Sequence, residues 1–196
     1  MKKTILLLTI LFNCMSCAAQ KSKIINEPKS VIKSGSKKGS KEKAEMNSGF
    51  EIGDLAPDFT LNNENGIAET LSKYRGKYVL IYFYPKDDTP GCTAEACSIR
   101  DNINNFKQFE VKVFGVSADD ETSHKKFIAK YNLPFSLLAD TKKEVAKLYG
   151  ADGLFIKRIS FLIDKEGKFV KLYPNVNPSQ HAGEILADLA SLTQHI

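Results

Sequence analysis

The sequence predicts an α/β domain in which helices flank a mixed central sheet, and three observations lead to this fold class. First, strand and helix patterns alternate along the chain after Gly49. Second, the strand predicted at Tyr78–Tyr84 is apolar on both faces, as in a sheet that is covered on both sides. Third, Ile159–Ile163 and Phe169–Tyr173 flank the turn D-K-E-G, which predicts a hairpin and therefore an antiparallel pair of strands.

The other elements follow from local patterns in chain order. Short runs rich in apolar and β-branched residues predict three further strands: Pro57–Leu61, Val111–Val116 and Phe135–Leu138. Apolar residues at helical spacing predict four helices: Cys92–Phe106, Asp119–Tyr131, a short helix from Asp140 to Gly150, and a last helix opened by Asn177-Pro178. Aspartate at the start and glycine after the end are common helix caps, and proline is favoured in the first turn. The predicted domain covers residues 50–196 and contains no internal repeat.

The chain begins with a pattern typical of a secretory signal, which we assign to residues 1–19. Met1–Lys3 is basic, and Ile5–Phe12 is an apolar run too short to cross a membrane as a helix. Cys17 fits the lipid-modified cysteine of a bacterial lipoprotein, whereas the two alanines after it fit an ordinary cleavage site; a buried structural helix is the remaining alternative. We favour the lipoprotein interpretation. It predicts an exported protein of the bacterial cell envelope, attached to the membrane through Cys17.

Residues 20–49 are predicted to be a disordered linker, because they are rich in Lys, Ser and Gly and have no apolar periodicity. This segment holds eight lysines and three glutamates. Residues 1–49 together hold ten of the 28 Lys and Arg residues, which leaves the domain with 18 basic and 20 acidic residues. The basic charge therefore belongs to the tail, and the domain lacks the charge expected of a nucleic-acid-binding module. We interpret the tail as a soluble spacer; contact with anionic lipid or cell-wall polymers is the alternative.

Cys92 is the clearest candidate for chemistry, because it follows the strongest strand pattern in the chain. The strand K-Y-V-L-I-Y-F-Y at Lys77–Tyr84 ends at Pro85, and Pro90-Gly91 marks a turn before Cys92 opens the next helix. The buried face of that helix is predicted at four positions with helical spacing: Ala96, Ile99, Ile103 and Phe106. The Cys92 thiol then lies beside unpaired backbone N–H groups at the positive end of the helix dipole, a setting that favours a nucleophilic thiolate.

Cys97 lies five residues further along the same predicted helix, about 140° round from Cys92. In an intact helix the two Cα atoms would be roughly 8–9 Å apart, beyond the limit of about 7 Å for a disulfide. The spacing therefore disfavours a permanent structural bridge and allows a transient catalytic one when the first turn unwinds. It also differs from the C-x-x-C of thioredoxin-type redox sites.

Several ordered segments resemble the peroxiredoxin family. P-K-D-D-T-P-G-C at Pro85–Cys92 resembles the P-x3-T-x2-C active-site loop of that family, and the offset to Cys97 resembles the bacterioferritin comigratory protein (PrxQ) subfamily. A-P-D-F-T-L at Ala56–Leu61 resembles the opening strand of the family, and C-S-I-R-D follows the loop as it does there. R-I-S-F-L-I-D at Arg158–Asp164 resembles the strand that carries the active-site arginine. The resemblance runs from about residue 51 to the C-terminus and implies a thioredoxin-like (peroxiredoxin) fold.

The resemblance also implies a function, that of a thioredoxin-dependent peroxidase acting on hydrogen peroxide and organic hydroperoxides. Cys92 would be the peroxidatic cysteine that becomes a sulfenic acid, and Cys97 the resolving cysteine that closes an intramolecular Cys92–Cys97 disulfide. A thioredoxin-like dithiol donor would then reduce this disulfide. The resemblance implies no metal or organic cofactor, and it implies a monomer.

Four further site residues are assigned on the same resemblance, each with a plainer alternative. Thr89 would donate its hydroxyl to the thiolate and the peroxide; its alternative is ordinary turn chemistry. Arg158 would stabilise the thiolate and the leaving oxygen, and its alternative is a surface cation at a strand edge. Pro85 would shield the site from water besides ending the strand. Glu95 would orient Arg158; its alternative is a first-turn glutamate that satisfies the helix dipole.

Other chemistries find little support in the sequence. His124, His181 and His195 are predicted on helix surfaces or at the C-terminus, without metal-ligand spacing, and Asp87-Asp88 is interpreted as a solvated loop. The alternative function is an exported thiol-disulfide exchange module, or an anchored thioredoxin-fold module, without peroxidase activity. An exchanger would be expected to carry C-x-x-C, which is absent around Cys92.

Overall fold

Within residues 49–194, which the computed structural model describes, seven strands form a mixed sheet. The strands are β1 (Thr60–Asn63), β2 (Ala68–Thr70), β3 (Tyr78–Phe83), β4 (Val111–Ser117), β5 (Ser136–Ala139), β6 (Ile159–Ile163) and β7 (Phe169–Tyr173). Their order across the sheet is β2-β1-β5-β4-β3-β6-β7. The β3–β4 and β4–β5 pairs are parallel, and the other pairs are antiparallel. The predicted mixed sheet and the β6–β7 hairpin are confirmed.

Helices cover both faces of this sheet, as predicted. They are α1 (Pro90–Asp101), α2 (Ile103–Gln108), α3 (Glu121–Tyr131), α4 (Glu144–Leu148) and α5 (His181–Thr193), with a short 3-10 turn at Leu71–Tyr74. No helix in the described range is long and apolar enough to cross a membrane. The predicted signal peptide and Cys17 lie outside the described residues, as does the linker apart from its last residue.

β3 runs through the middle of the sheet and separates two apolar cores. All six of its residues are buried. Leu80 and Tyr82 point to the face covered by α1, α2, α3 and α5, whereas Val79, Ile81 and Phe83 point to the face covered by α4. Full burial of an aliphatic or aromatic side chain contributes about 1.5–3 kcal/mol. The helix that carries both cysteines is thus held on the sheet by apolar packing.

The predicted helix Cys92–Phe106 is wrong in its bounds, because the chain forms two helices there. α1 starts two residues earlier, at Pro90, and ends at Asp101. Asn102 separates α1 from α2, and its side-chain amide donates to the Ser98 carbonyl at 2.9 Å. Such a side-chain bond competes with the helical ladder and favours a break.

Three other boundaries differ from the prediction. The first strand is Thr60–Asn63 rather than Pro57–Leu61, and it pairs with β2, whose three residues are too few to show a strand period. The last helix begins at His181 rather than at Asn177-Pro178, because Gln180 N–H first closes a turn onto Asn177. The short helix predicted from Asp140 to Gly150 forms only over Glu144–Leu148, and the Asp140 carboxylate accepts from Ala146 N–H in its first turn.

Candidate active site

Cys92 lies at the end of the sheet where β3 stops and α1 begins. Residues 84–89 form the connecting loop, Thr89 is the N-cap residue of α1, and Pro90 is its first helical residue. Proline suits this position because an N–H there would have no intrahelical partner. Cys92 is therefore the third residue of α1, among the unpaired N–H groups of the helix start. Its side chain is buried, with 1% of its surface exposed.

Arg158 reaches Cys92 from the strand next to β3. β6 runs antiparallel to β3 with Ile159 opposite Phe83, so the residue before β6 lies where the active-site loop starts. Arg158 donates from Nη2 to Cys92 Sγ over 3.2 Å and from Nη1 to a carboxylate oxygen of Glu95. A guanidinium placed this way can stabilise a thiolate and an anionic leaving oxygen together. The alternative of a surface cation does not fit this placement.

Glu95 sits one turn after Cys92 on α1 and is fully buried. The interpretation as a first-turn glutamate is wrong, because the first turn of α1 holds no acidic residue. Burial raises the pKa of Glu95 to about 7, and the charge and hydrogen bond of Arg158 lower it only in part. Burial also opposes the charge on Arg158, but Glu95 and Cys92 together raise the pKa of that guanidinium. Within the described residues, Glu95 Oε1 is buried without a hydrogen-bond partner.

Gly91 leaves the room that the Arg158 guanidinium occupies. A Cβ atom at position 91 would lie 3.2 Å from Arg158 Nη2 and 3.8 Å from its Cζ. The nearer separation is tighter than ordinary van der Waals contact, so any larger residue would push the guanidinium away from Cys92. Sequence reasoning treated this glycine as part of a turn; the structure shows that it also permits a close approach.

The remaining predicted site residues are Thr89, Pro85 and Cys97. Thr89 donates its hydroxyl to the Lys86 carbonyl at 3.0 Å, so the contact formed is the turn contact and not the predicted donation to Cys92. Pro85 is half-buried directly after β3, and its shielding role stays a prediction. Cys97 is also buried, with 4% of its surface exposed. Cys92 and Cys97 are not joined by a disulfide, and both lie in a continuous helix.

Sequence reasoning missed a buried polar cluster beneath the active-site loop. Asp87, interpreted as solvated, is 7% exposed, and His124, predicted on a helix surface, is fully buried. Asp87 Oδ1 accepts from Tyr84 OH at 2.7 Å. Its Oδ2 accepts from Ser123 Oγ at 2.8 Å and lies 2.9 Å from His124 Nδ1. Both interpretations were therefore wrong, and the loop is tied to the start of α3.

Helical spacing could have revealed the burial of two histidines. His124 is spaced three, four and seven residues from the positions predicted to face inward on its helix: Phe127, Ile128 and Tyr131. His181, also predicted on a surface, is fully buried four residues before Ile185, and its Nε2 lies 2.9 Å from Ser160 Oγ. Burial lowers the pKa of His181, although Glu184 opposes this shift. His195 lies outside the described residues.

Comparisons with known proteins agree with this geometry. Residues 52–171 match the model of the AhpC/TSA family. The chain is 42% identical over 154 residues to Peroxiredoxin Bcp of Bacillus subtilis (strain 168), an alignment covering 74% of this chain and 98% of that relative. It is 46% identical over 145 residues to Putative peroxiredoxin Q, chloroplastic, of Oryza sativa subsp. indica, covering 71% of this chain and 67% of that relative.

Solved structures show the same similarity. The crystal structure of a Xylella fastidiosa PrxQ mutant has a TM-score of 0.69 and 30% identity, and the match covers 73% of this chain and 97% of that chain. The crystal structure of Peroxidoxin BcpB from Mycobacterium tuberculosis has a TM-score of 0.67 and 32% identity, covering 72% of this chain and 97% of that chain.

Proposed function

The chain belongs to the AhpC/TSA family and is a thiol-dependent peroxidase of the peroxiredoxin class, and from this premise we propose that it reduces hydrogen peroxide and organic hydroperoxides through Cys92 and Cys97. The observation that carries the proposal is the 3.2 Å contact from Arg158 Nη2 to Cys92 Sγ. It places the permanent positive charge of the Arg158 guanidinium beside a buried thiol at the start of a helix. Such a setting favours a nucleophilic cysteine. A thioredoxin-type dithiol is the reductant.

In the first step, the Cys92 thiolate attacks one oxygen of the hydroperoxide. The O–O bond breaks, Cys92 is oxidised to a sulfenic acid, and the other oxygen leaves as water or an alcohol after taking a proton. Arg158 stabilises the negative charge that develops on the leaving oxygen. The N–H groups at the start of α1 supply further donors. Thr89 joins them when its hydroxyl turns from the Lys86 carbonyl towards the peroxide.

In the second step, the Cys97 thiol attacks the sulfur of the Cys92 sulfenic acid. Water leaves and the Cys92–Cys97 disulfide forms. Because their Cα atoms are roughly 8–9 Å apart in an intact helix, the part of α1 between them unwinds first. A dithiol reductant then attacks the disulfide, returns both thiols, and is itself oxidised to a disulfide.

Organic hydroperoxides are included because apolar surface lies close to Arg158 along the chain. Leu154 is 88% exposed and Phe155 68% exposed, although large apolar side chains are usually covered. Three residues span at most about 11 Å, so Phe155 is within reach of an alkyl group held at Arg158. Replacing both residues with serine should slow the reaction with cumene hydroperoxide severalfold and leave the rate with hydrogen peroxide unchanged. An equal effect on both peroxides would contradict this assignment.

Export and attachment to the membrane through Cys17 belong to the same proposal, with the mature protein acting as a monomer. The support is the basic and apolar start of the chain, followed by a tail that cannot bury a core. Cell fractionation and the intact mass of the mature chain test it. Lipid mass on Cys17 supports the tether, whereas a soluble chain that begins after Ala18 shows ordinary export.

The central experiment separates the two steps with two serine variants. Cys92→Ser should abolish peroxide reduction, because the attacking sulfur is gone. Cys97→Ser should still consume one equivalent of peroxide and stop at a sulfenic acid that dimedone traps. The parent should lose two thiols for each peroxide and form a Cys92–Cys97 disulfide, seen by mass spectrometry. Turnover in Cys92→Ser equal to that of the parent would overturn the proposal.

A further inference from the structure

We propose that α3 clamps the active-site loop through Asp87 and Asp88, so that the loop stays in place while α1 unwinds between Thr89 and Arg100. This inference rests on the proposed function, because the unwinding belongs to disulfide formation. It assigns to α3 and the two aspartates a positioning role. The clamp is defined as the contacts of Asp87 and Asp88 with side chains of α3 and of the turn before it.

The first half of the clamp is the buried carboxylate of Asp87. Tyr84 OH, Ser123 Oγ and His124 Nδ1 surround its two oxygens at 2.7, 2.8 and 2.9 Å. The N–H of Asp87 also donates to Asp119 Oδ2 at 2.8 Å, in the turn that leads into α3. Hydrogen bonds to a buried charged group are strong, and leaving such a group without a partner costs about 1–3 kcal/mol or more. The loop therefore cannot leave α3 without a substantial cost.

The second half of the clamp lies one residue further along. Asp88 has a left-handed backbone, with φ of 57°, which turns its carboxylate towards the C-terminal end of α3. Lys130 Nζ donates to both carboxylate oxygens at 2.8 and 2.6 Å, and Tyr131 OH donates at 2.6 Å. An exposed ion pair stabilises little by itself. Three hydrogen bonds from two donor groups to one carboxylate nevertheless define where the loop lies along α3.

A third contact fixes the far end of α1 to the same helix. Arg100, near the C-terminus of α1, donates from Nη1 to the Tyr131 carbonyl at 2.7 Å. α3 is therefore bound on both sides of the segment that contains Cys92 and Cys97. The residues held before the segment are Asp87 and Asp88, and the residue held after it is Arg100.

The fixed ends do not prevent unwinding. The segment from Thr89 to Arg100 contains about 11 peptide units, which span roughly 16 Å as a helix. The same number of residues can reach up to about 36 Å when extended. The chain between the anchors can therefore rearrange and bring Cys92 to Cys97 without pulling on the loop. After reduction, α1 can refold onto a loop that has kept its shape.

Amide exchange measured by mass spectrometry on the full chain tests this, in the reduced and disulfide forms. In the parent disulfide form, exchange should accelerate at residues 90–98 and stay unchanged at residues 84–89 and in α3. Two variants release the clamp at different points: Asp87→Asn, and the double variant Lys130→Met/Tyr131→Phe. Each should accelerate exchange at residues 84–89 on the order of tenfold, already in the reduced form. Asp54→Asn is the matched control, because it removes one aspartate charge from an exposed turn elsewhere.

Two rates separate positioning from a general loss of stability. Release of the clamp should slow sulfenic acid formation on Cys92, because the loop that carries Thr89 is no longer held. Disulfide closure should not slow, because unwinding of α1 is not hindered. Equal slowing of both steps, with faster exchange in α5 as well, would show general destabilisation and overturn the clamp.

Failure of the clamp can be told apart from failure of the proposed function. If the parent forms the disulfide but exchange spreads into residues 84–89 and α3, the clamp is wrong and the peroxidase mechanism stands. If the parent forms no Cys92–Cys97 disulfide, the resolving step is wrong. The reduced-state exchange of the two variants then decides the clamp, and values equal to those of Asp54→Asn would refute it.

Discussion

α1 and α3 have nearly the same length, 12 and 11 residues, but their ends are built differently. The N-cap residue of α3 is Asp120, whose carboxylate accepts from Ser123 N–H at 2.8 Å, and its C-cap residue Asn132 has the left-handed conformation common at helix C-termini. The N-cap residue of α1 is Thr89, whose side chain makes no capping hydrogen bond. Its C-cap residue is Asn102, whose side chain competes for a helical carbonyl.

The difference agrees with the proposal that α1, and not α3, unwinds during disulfide formation. A side-chain N-cap stabilises a helix by about 1 kcal/mol, and an acidic residue in the first turn adds about 0.3–1 kcal/mol. α3 has both, with Glu121 in its first turn, whereas the first turn of α1 has neither. Gly91 weakens the start of α1 by about another 1 kcal/mol relative to alanine. The start of α1 is thus weak where the proposed disulfide formation requires it to unwind, and α3 is the more stable helix beside it.

Among the substitutions that keep both cysteines, the largest effect on the chemistry of Cys92 is expected from Arg158→Lys. Lysine keeps the positive charge but loses the planar pair of donors that contacts Cys92 and Glu95 together. Loss of one charge-assisted hydrogen bond corresponds to a roughly 10–100-fold lower second-order rate with hydrogen peroxide. Stopped-flow measurement of sulfenic acid formation checks this. Arg75→Lys, at an arginine that packs over Gly167, is the control and should change the rate less than about twofold.

The buried carboxylate of Glu95 makes the stability of the α1 region depend on pH. Its pKa is raised from 4.5 to about 7 by burial, so the folded protein holds a proton there that the unfolded chain releases. Its contribution to stability is therefore complete below pH 4.5 and is lost as the pH rises through about 7. The loss reaches at most about 1.4 kcal/mol per pH unit.

Glu95→Gln isolates this contribution, because glutamine does not titrate. Free energies of unfolding from urea titrations of parent and variant give the difference at each pH. The parent should lose stability relative to the variant between pH 4.5 and about 7, and the difference should then level off. A difference that is flat over this range would mean that Glu95 is ionised throughout.

Much of the fold could be predicted because its patterns are local and strong. The apolar run of β3 is enough to predict a buried strand, and the turn between β6 and β7 is enough to predict a hairpin. The structure confirms both predictions. β2 could not be predicted, because three residues are too few to show the alternation of apolar and polar residues typical of a strand. Its extended conformation depends on pairing with β1. The break at Asn102 depends on one side-chain hydrogen bond, which competes with an otherwise helical pattern.

The contact between Cys92 and Arg158 was expected because each residue lies in a recognisable motif, whereas contacts of residues outside those motifs were missed. Cys92 and Arg158 come together as expected. Asp87 and His124 are 37 residues apart, and no local pattern links a loop carboxylate to a histidine of the third helix after that loop. The orientation of the Thr89 hydroxyl depends on the turn that supplies the Lys86 carbonyl, and composition carries no information about it.

A moderate effect is expected from Gly91→Ala, which strengthens the weak start of α1. Alanine favours the helix by about 1 kcal/mol over glycine, so disulfide closure should slow roughly fivefold. The new Cβ would also lie 3.2 Å from Arg158 Nη2, so sulfenic acid formation should slow as well. Gly183→Ala is the matched control, since a Cβ there meets nothing within 4 Å in α5. Closure at the parent rate in Gly91→Ala would show that helix stability does not limit the second step.

The smallest effect on chemistry is expected from Asp120→Ala, and comparing its amide exchange with that of Thr89→Ala is the most direct test of the two helix starts. Asp120→Ala removes the acceptor of Ser123 N–H and should lower the free energy of unfolding by about 1 kcal/mol. Exchange in the first turn of α3 should rise roughly fivefold, while the peroxide rate stays within about twofold of the parent. Thr89→Ala removes no acceptor from an α1 N–H, so exchange in the first turn of α1 should not change. Chemical denaturation and amide exchange of both variants provide the measurement. If Thr89→Ala accelerated exchange at residues 91–93 as much as Asp120→Ala does at residues 121–123, the two helices would be capped alike and the weak start of α1 would need another origin.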